Sequence, residues 1–175
     1  MVAMVEAKRF LGQEFLTWLV RRIEEGDGRV NWQGEVAELS LGDRVVLESP
    51  LGVHERLTLV GPGDMRAELG AGLRRGKLVD RARLLLKRGE RQWELTLDGS
   101  RLTYDALRCP KLGSRNGEED ERAGFETDLF LRVADVEEAI GVLDELLAEF
   151  FRLRASGSWQ KKELPVLRAW ADSLR

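Results

Sequence analysis

Residues 73–93 read LRRGKLVDRARLLLKRGERQW, with eight Arg or Lys against two carboxylates in a chain whose formal net charge is -3. The stretch decides the fold because its period changes midway. Leu73-Arg74-Arg75-Gly76 closes a helical segment, MRAELGAGLRR. From Leu78 the pattern alternates, placing Val79, Arg81, Arg83, Leu85 and Lys87 on one side and Leu78, Asp80, Ala82, Leu84 and Leu86 on the other. The strand turns at Lys87-Arg88-Gly89-Glu90 and returns as RQWELTL, giving a hairpin with one apolar and one cationic face.

Outward from this hairpin, Asp98-Gly99-Ser100 leads into a short strand, RLTY. Upstream, EVAELSL, DRVVLES and ERLTLV predict three strands separated by Leu41-Gly42-Asp43 and Ser49-Pro50-Leu51-Gly52. Asp64, after Gly61-Pro62-Gly63, is placed to cap the helix that begins at Met65. FLGQEFLTWLVRRIEEGDG opens the chain as a helix, with Phe10, Leu11, Phe15, Trp18, Leu19 and Ile23 at helical spacing and a stop at Gly26. Residues 113–124, GSRNGEEDERAG, predict a polar loop. A long helical region follows, in which Asp135 and Glu138 at capping-box spacing predict a break near Ala134. Ala155-Ser156-Gly157-Ser158 forms a hinge before a last helix with Pro165 in its first turn. The order lacks the regular alternation of a parallel β/α protein. It predicts an α+β fold, an antiparallel sheet packed with helices, with residues 1–155 as one module and 156–175 as hinge and C-terminal helix.

The chain has 175 residues, enough to bury roughly 70% of its unfolded surface without a staple. One cysteine, Cys109, excludes an internal disulfide framework and a Cys-rich zinc site, and fits a reducing cytoplasm. No window approaches the ~20 apolar residues of a membrane span. Convergent catalytic groups are not evident. His54 reads as a turn residue, Cys109 beside Pro110 as a half-buried small hydrophobe. Gly61-Pro62-Gly63-Asp64 lacks the Gly-Lys-Ser/Thr ending of a phosphate loop, and Asp64 would repel phosphate. Glu118, Glu119, Asp120 and Glu121 lack the spacing of a calcium loop. These readings predict a non-enzyme without cofactor, metal or small-molecule substrate.

Charge is segregated. Residues 65–91 hold nine Arg or Lys against three carboxylates, and residues 116–149 hold twelve carboxylates against Arg122 and Arg132. Two readings follow. The patches can face each other through surface ion pairs, each worth little. Alternatively, Arg81, Arg83 and Lys87, ~7 Å apart along one strand face, continue Arg74, Arg75 and Lys77 as an open stripe that tracks a phosphate backbone. No recognition helix, zinc finger or aromatic interleaving accompanies them, so such binding would ignore sequence.

GKLVDRARLLLKRGERQWELTLDGSRL resembles the C-terminal half of the RdgC family of bacterial recombination-associated proteins. Gly76, Lys77, Val79, Leu84, Trp93, Leu97, Gly99, Ser100 and Leu102 fall on that pattern, as do the acidic loop and FETDLFLRVADVEEAIGVLDELL. FLGQEFLTWLVRRIEE resembles the helix opening that half, and the likeness spans roughly residues 10–153. The resemblance implies a cytoplasmic, nucleoid-associated homodimer that encircles duplex DNA without sequence preference and restrains RecA-driven strand exchange. It implies DNA contacts by Arg74, Arg75, Lys77, Arg81, Arg83 and Lys87. The family's N-terminal half has no counterpart here, and WQKKELPVLRAWADSLR lies outside the pattern. The alternative from another class is a protein-interaction or self-assembly module without nucleic acid, its basic hairpin meeting the acidic helices of a second copy.

Overall fold

A computed structural model describes residues 2–50, 55–61, 65–111 and 121–174, and the side chains of all of these except 2–9 and 121–124. His54, the Asp64 cap and residues 113–120 of the acidic loop lie outside the described residues. The elements run α1 (Val2–Glu24), β1 (Arg29–Trp32), β2 (Glu35–Glu48), β3 (Arg56–Val60), α2 (Met65–Arg74), β4 (Leu78–Arg88), β5 (Arg91–Asp98), β6 (Thr103–Arg108) and α3 (Glu121–Ala155), with α4 (Leu164–Ser173) following a π-helical turn, Trp159–Glu163. The six strands form one antiparallel sheet in the order β1-β2-β4-β5-β6, and β3 also pairs with β2. The fold is α+β, as expected. Among the described residues, no helix is long and apolar enough to cross a membrane.

Two strands expected upstream are one. Leu41-Gly42-Asp43 is not a turn but a bulge in β2: pairing with β4 moves from Leu41↔Leu84 to Val45↔Ala82, so β2 advances four residues while β4 advances two. A Cβ on Gly42 would sit 3.0 Å from the Arg83 Cγ, so the bulge leaves room for that side chain. The first half of β2 pairs with β1 and the second with β3. β1, which the sequence pattern did not predict, turns into β2 through Gln33 (φ 52°) and Gly34 (φ 80°), the left-handed pair of a tight hairpin.

α1 lies on the inner face of the sheet. Leu16, Trp18 and Leu19 are buried there with Ala82, Leu84 and Leu86 of β4 and Trp93 and Leu95 of β5. The helix comes very close to the β5–β6 turn: a Cβ on Gly12 would be 1.9 Å from the carbonyl oxygen of Gly99. A buried polar chain fixes this contact. Gln13 Nε2 donates to Asp80 Oδ1 at 2.7 Å, Ser100 Oγ donates to the same oxygen, and Thr17 Oγ1 accepts the Val79 N–H at 2.9 Å.

α3 does not break near Ala134. Its 35 residues run as one helix about 52 Å long. Asp135 and Glu138 do not act as a capping pair; both carboxylates are turned to the hairpin and accept hydrogen bonds from Arg91 and Arg88. Farther along, Phe150 closes an aromatic cluster with Phe15 (5.5 Å), Trp18 (5.8 Å) and Trp159 (5.3 Å). α4 buries Trp170 in the same core, with Leu174 just past its end.

Candidate functional site

The cations of the central hairpin divide between the two sides of the sheet. Arg81, Arg83 and Lys87 share the face opposite α1, as alternation required, while Arg88 and Arg91 point to the helix side. What the sequence did not reveal is that most of these charges are already met within the chain.

On the outer face, Arg81 donates two hydrogen bonds to one oxygen of the buried Asp98, at 2.5 and 3.2 Å. Arg83 reaches Asp43 at 3.1 Å and also Glu94. These bonds, to Asp98 for Arg81 and to Glu94 then Asp43 for Arg83, push both guanidinium pKa values further up. Arg81 and Arg83 therefore stand as permanent cations in a lattice of alternating sign, which Arg108–Glu94 (3.6 Å) and Arg29–Glu38 (3.3 Å) extend. Their side chains are only 34% and 32% exposed. Lys87 lies across from Glu38 in register, is exposed, and makes no ion pair among the described residues.

The cations before the strand serve the fold. Lys77 is buried, and its ammonium donates to the Glu55 carbonyl oxygen (2.7 Å) and carboxylate (3.0 Å). That hydrogen bond, then the Lys77 charge, holds the Glu55 carboxyl below its ordinary pKa; Arg75 adds a smaller pull. Arg74 Nη1 donates to the carbonyl oxygens of Ala171 and Leu174, both at 2.9 Å, and so satisfies the C-terminal end of α4. Arg75 remains exposed. Of the six cations expected to form an open stripe, Lys77 is thus buried, Arg74 is bonded to the end of α4, and Arg81 and Arg83 are ion-paired. Arg75 and Lys87 alone keep exposed heads without a hydrogen bond to the described residues.

On the helix side, Arg91 binds Asp135 (2.6 Å) and Glu138 (2.5 Å), and Arg88 binds Glu138 (2.7 Å) and Glu35 (2.7 Å). Asp135 and Glu138 are buried. Arg91 also stacks 4.7 Å from the Trp93 ring, whose Nε1 donates to the Asp135 carbonyl oxygen. This is the pairing of basic hairpin with acidic helix that charge segregation allowed, and it occurs within one chain. It grips α3 at its middle.

Before that grip the helix continues uncovered. Phe125 is 70% exposed and Phe130 73%, and Leu129, Leu131 and Val133 are also exposed. Arg132 ties the end of this stretch to the strap after β6 by donating to the Pro110 carbonyl oxygen at 2.5 Å. The sequence pattern places these residues in the long helical region and gives them no face. Phe125 and Phe130 are five residues apart, about 140° around a helix, and cannot share one buried stripe. Exposed apolar side chains grouped in this way make the first half of α3 a candidate contact surface. Cys109 supplies little chemistry, because burial, then the charge of Asp135, pushes its thiol pKa up and keeps it protonated. Compared with protein-family models and with curated proteins, the chain matches none.

Proposed function

We propose that this chain is a non-enzymatic protein-interaction module whose working surface is the first half of α3. One observation carries the reading: Phe125, Leu129, Phe130, Leu131 and Val133 stand in solvent on a helix that the hairpin arginines hold in place. Two phenylalanines at about 200 Å² each, exposed to these extents, present roughly 280 Å² of apolar area before the aliphatic residues are added. Burying it on a partner contributes on the order of 7 kcal/mol before the entropic costs of association. The test is a photo-crosslinking residue at position 130 in the intact chain, expressed in its own cells. A discrete adduct is expected there, and none from a control probe at Lys87. Equal labelling at the two positions, or none at 130, overturns the reading.

A second reading follows the RdgC resemblance: duplex DNA held through phosphates, with recombination as the process modulated. It is favoured by the shared outer face of Arg81, Arg83 and Lys87 and by the exposure of Arg75. It requires Asp98, Asp43 and Glu94 to yield their guanidinium partners to phosphate. Each phosphate contact adds about 0.9 to the slope of log affinity against log salt. Unrelated duplexes titrated with salt test it, and Arg81→Glu with Arg83→Glu should abolish the shift. Binding that ignores salt, or no binding, removes this reading.

A further inference from the structure

We infer that the occupant of the α3 surface is a basic amphipathic helix from a different protein. This rests on the interaction reading above and specifies its partner. Phe125, Leu129, Val133, Ile140 and Leu147 fall within about 80° of one another around α3, so the exposed first half and the anchored second half carry one apolar stripe. Ile140 and Leu147 are only partly buried, and they line a cleft of about 120 Å³ with Leu102 and Tyr104 beyond the end of β5. The stripe is therefore continuous from an open overhang into an apolar recess. Over 22 residues it spans roughly 33 Å, which suits a partner helix of about six turns laid alongside.

Charge selects the partner. One edge of the stripe carries Glu137 and Asp144, both exposed and without an ion pair among the described residues, and Glu126 lies on the same edge. The other edge runs into the body of the fold. A helix docking here meets apolar side chains flanked by carboxylates, so lysines and arginines beside its own apolar positions complement the rim. A second copy offers no helix of that kind and length: its basic C-terminal segment, with Lys161, Lys162 and Arg168, has only 5 π-helical and 10 α-helical residues, too few to run along the whole stripe. Its α3 brings the same carboxylates to the same rim, and its hairpin arginines are already engaged by Asp135, Glu138, Asp98, Glu94 and Asp43 of its own chain. An anionic lipid surface is disfavoured by the same rim.

The experiment uses the full chain and two fluorescent helical peptides of identical apolar spacing, one with lysine flanks and one with glutamate flanks, followed by anisotropy. The lysine peptide should bind at least tenfold more tightly than the glutamate peptide. Phe125→Ser with Leu129→Ser should weaken it at least tenfold. Glu137→Lys with Asp144→Lys should remove most of the preference between the peptides while circular dichroism stays unchanged. Equal affinity for both peptides, or no affinity for either, overturns the inference. Sedimentation in parallel separates it from the reading on which it rests. A dimer abolished by the Phe125 and Leu129 changes names a second copy as occupant, which refutes the basic partner and leaves an interaction surface standing. A monomer that ignores both peptides and gives no adduct at position 130 refutes both.

Discussion

Replacing Gly12 with alanine tests the closest contact in the molecule. Position 12 lies in the interior of α1, where exchange of glycine for alanine by itself stabilises a helix by about 1 kcal/mol. The packing argues the other way. The added methyl would lie 1.9 Å from the Gly99 carbonyl oxygen and 2.9 Å from Leu102 Cδ2. The oxygen belongs to the backbone and cannot rotate aside, so α1 and the β5–β6 turn must separate by roughly 1 Å. Overpacking of this kind costs typically 1–3 kcal/mol. The displacement also loosens the neighbouring Gln13–Asp80–Ser100 hydrogen bonds, and a buried, charged acceptor losing a donor costs roughly another 1–3 kcal/mol. The net expectation is destabilisation by about 2–4 kcal/mol. At about 2–4 °C per kcal/mol for a chain of this size, the Tm should fall by roughly 5–15 °C. Urea unfolding followed by tryptophan fluorescence, with calorimetry alongside, measures both. A G12A protein as stable as the parent, or more stable, would refute the reasoning by showing that the helix and turn are not in contact.

Gly141→Ala makes a graded comparison: its methyl would meet the Trp32 ring at 2.4 Å, but that ring is half-buried and can move, so the loss should be smaller than for G12A in the same assay. Arg74→Ala leaves the Ala171 and Leu174 carbonyl oxygens without their donor, and hydrogen exchange over residues 165–174 should accelerate by about tenfold or more, equivalent to roughly 1.5 kcal/mol; unchanged exchange there would show the contact to be idle. Because the Glu55 pKa is depressed in the folded state, its contribution is present above the ordinary carboxylate range and is lost as pH falls through the folded value. Lys77→Met should therefore flatten the acid limb of stability against pH, and an unaltered limb contradicts the assignment. Alkylation of Cys109 should titrate above the pH of a free thiol, and Arg132→Ala should move the midpoint higher still, since Arg132 lowers that pKa against the dominant effect of burial; a midpoint at or below that of free cysteine would contradict both.

Alternation along 78–88 was sufficient to place Ala82, Leu84 and Leu86 inside and Arg81, Arg83 and Lys87 outside, because a strand offers only two sides. What occupies the space beside an outward cation is not a local property. Asp43 is 40 positions before Arg83, Asp98 is 17 after Arg81, and Glu138 is 50 after Arg88, so no window along the chain joins them. Lys77, expected in the open stripe, is instead buried along its long aliphatic stem while the ammonium reaches Glu55. The bulge at Gly42 was mistaken for a turn because glycine beside aspartate favours both. At α3, the Asp135–Glu138 spacing that predicted a break marks instead the two carboxylates by which the hairpin arginines hold an unbroken helix, partners that lie more than 40 residues away in sequence.

The aromatic cluster imposes an order on biosynthesis. Phe15 and Trp18 leave the ribosome early, yet the rings that cover them, Phe150 and Trp159, are more than 130 residues further on. At about 5–20 residues per second, the nascent helix waits on the order of 10–30 s with those rings uncovered. The sheet can assemble during that interval; its hydrophobic enclosure cannot. Any factor that shelters this chain as it is made therefore meets the amphipathic side of the first helix, and releases it when the last aromatic arrives.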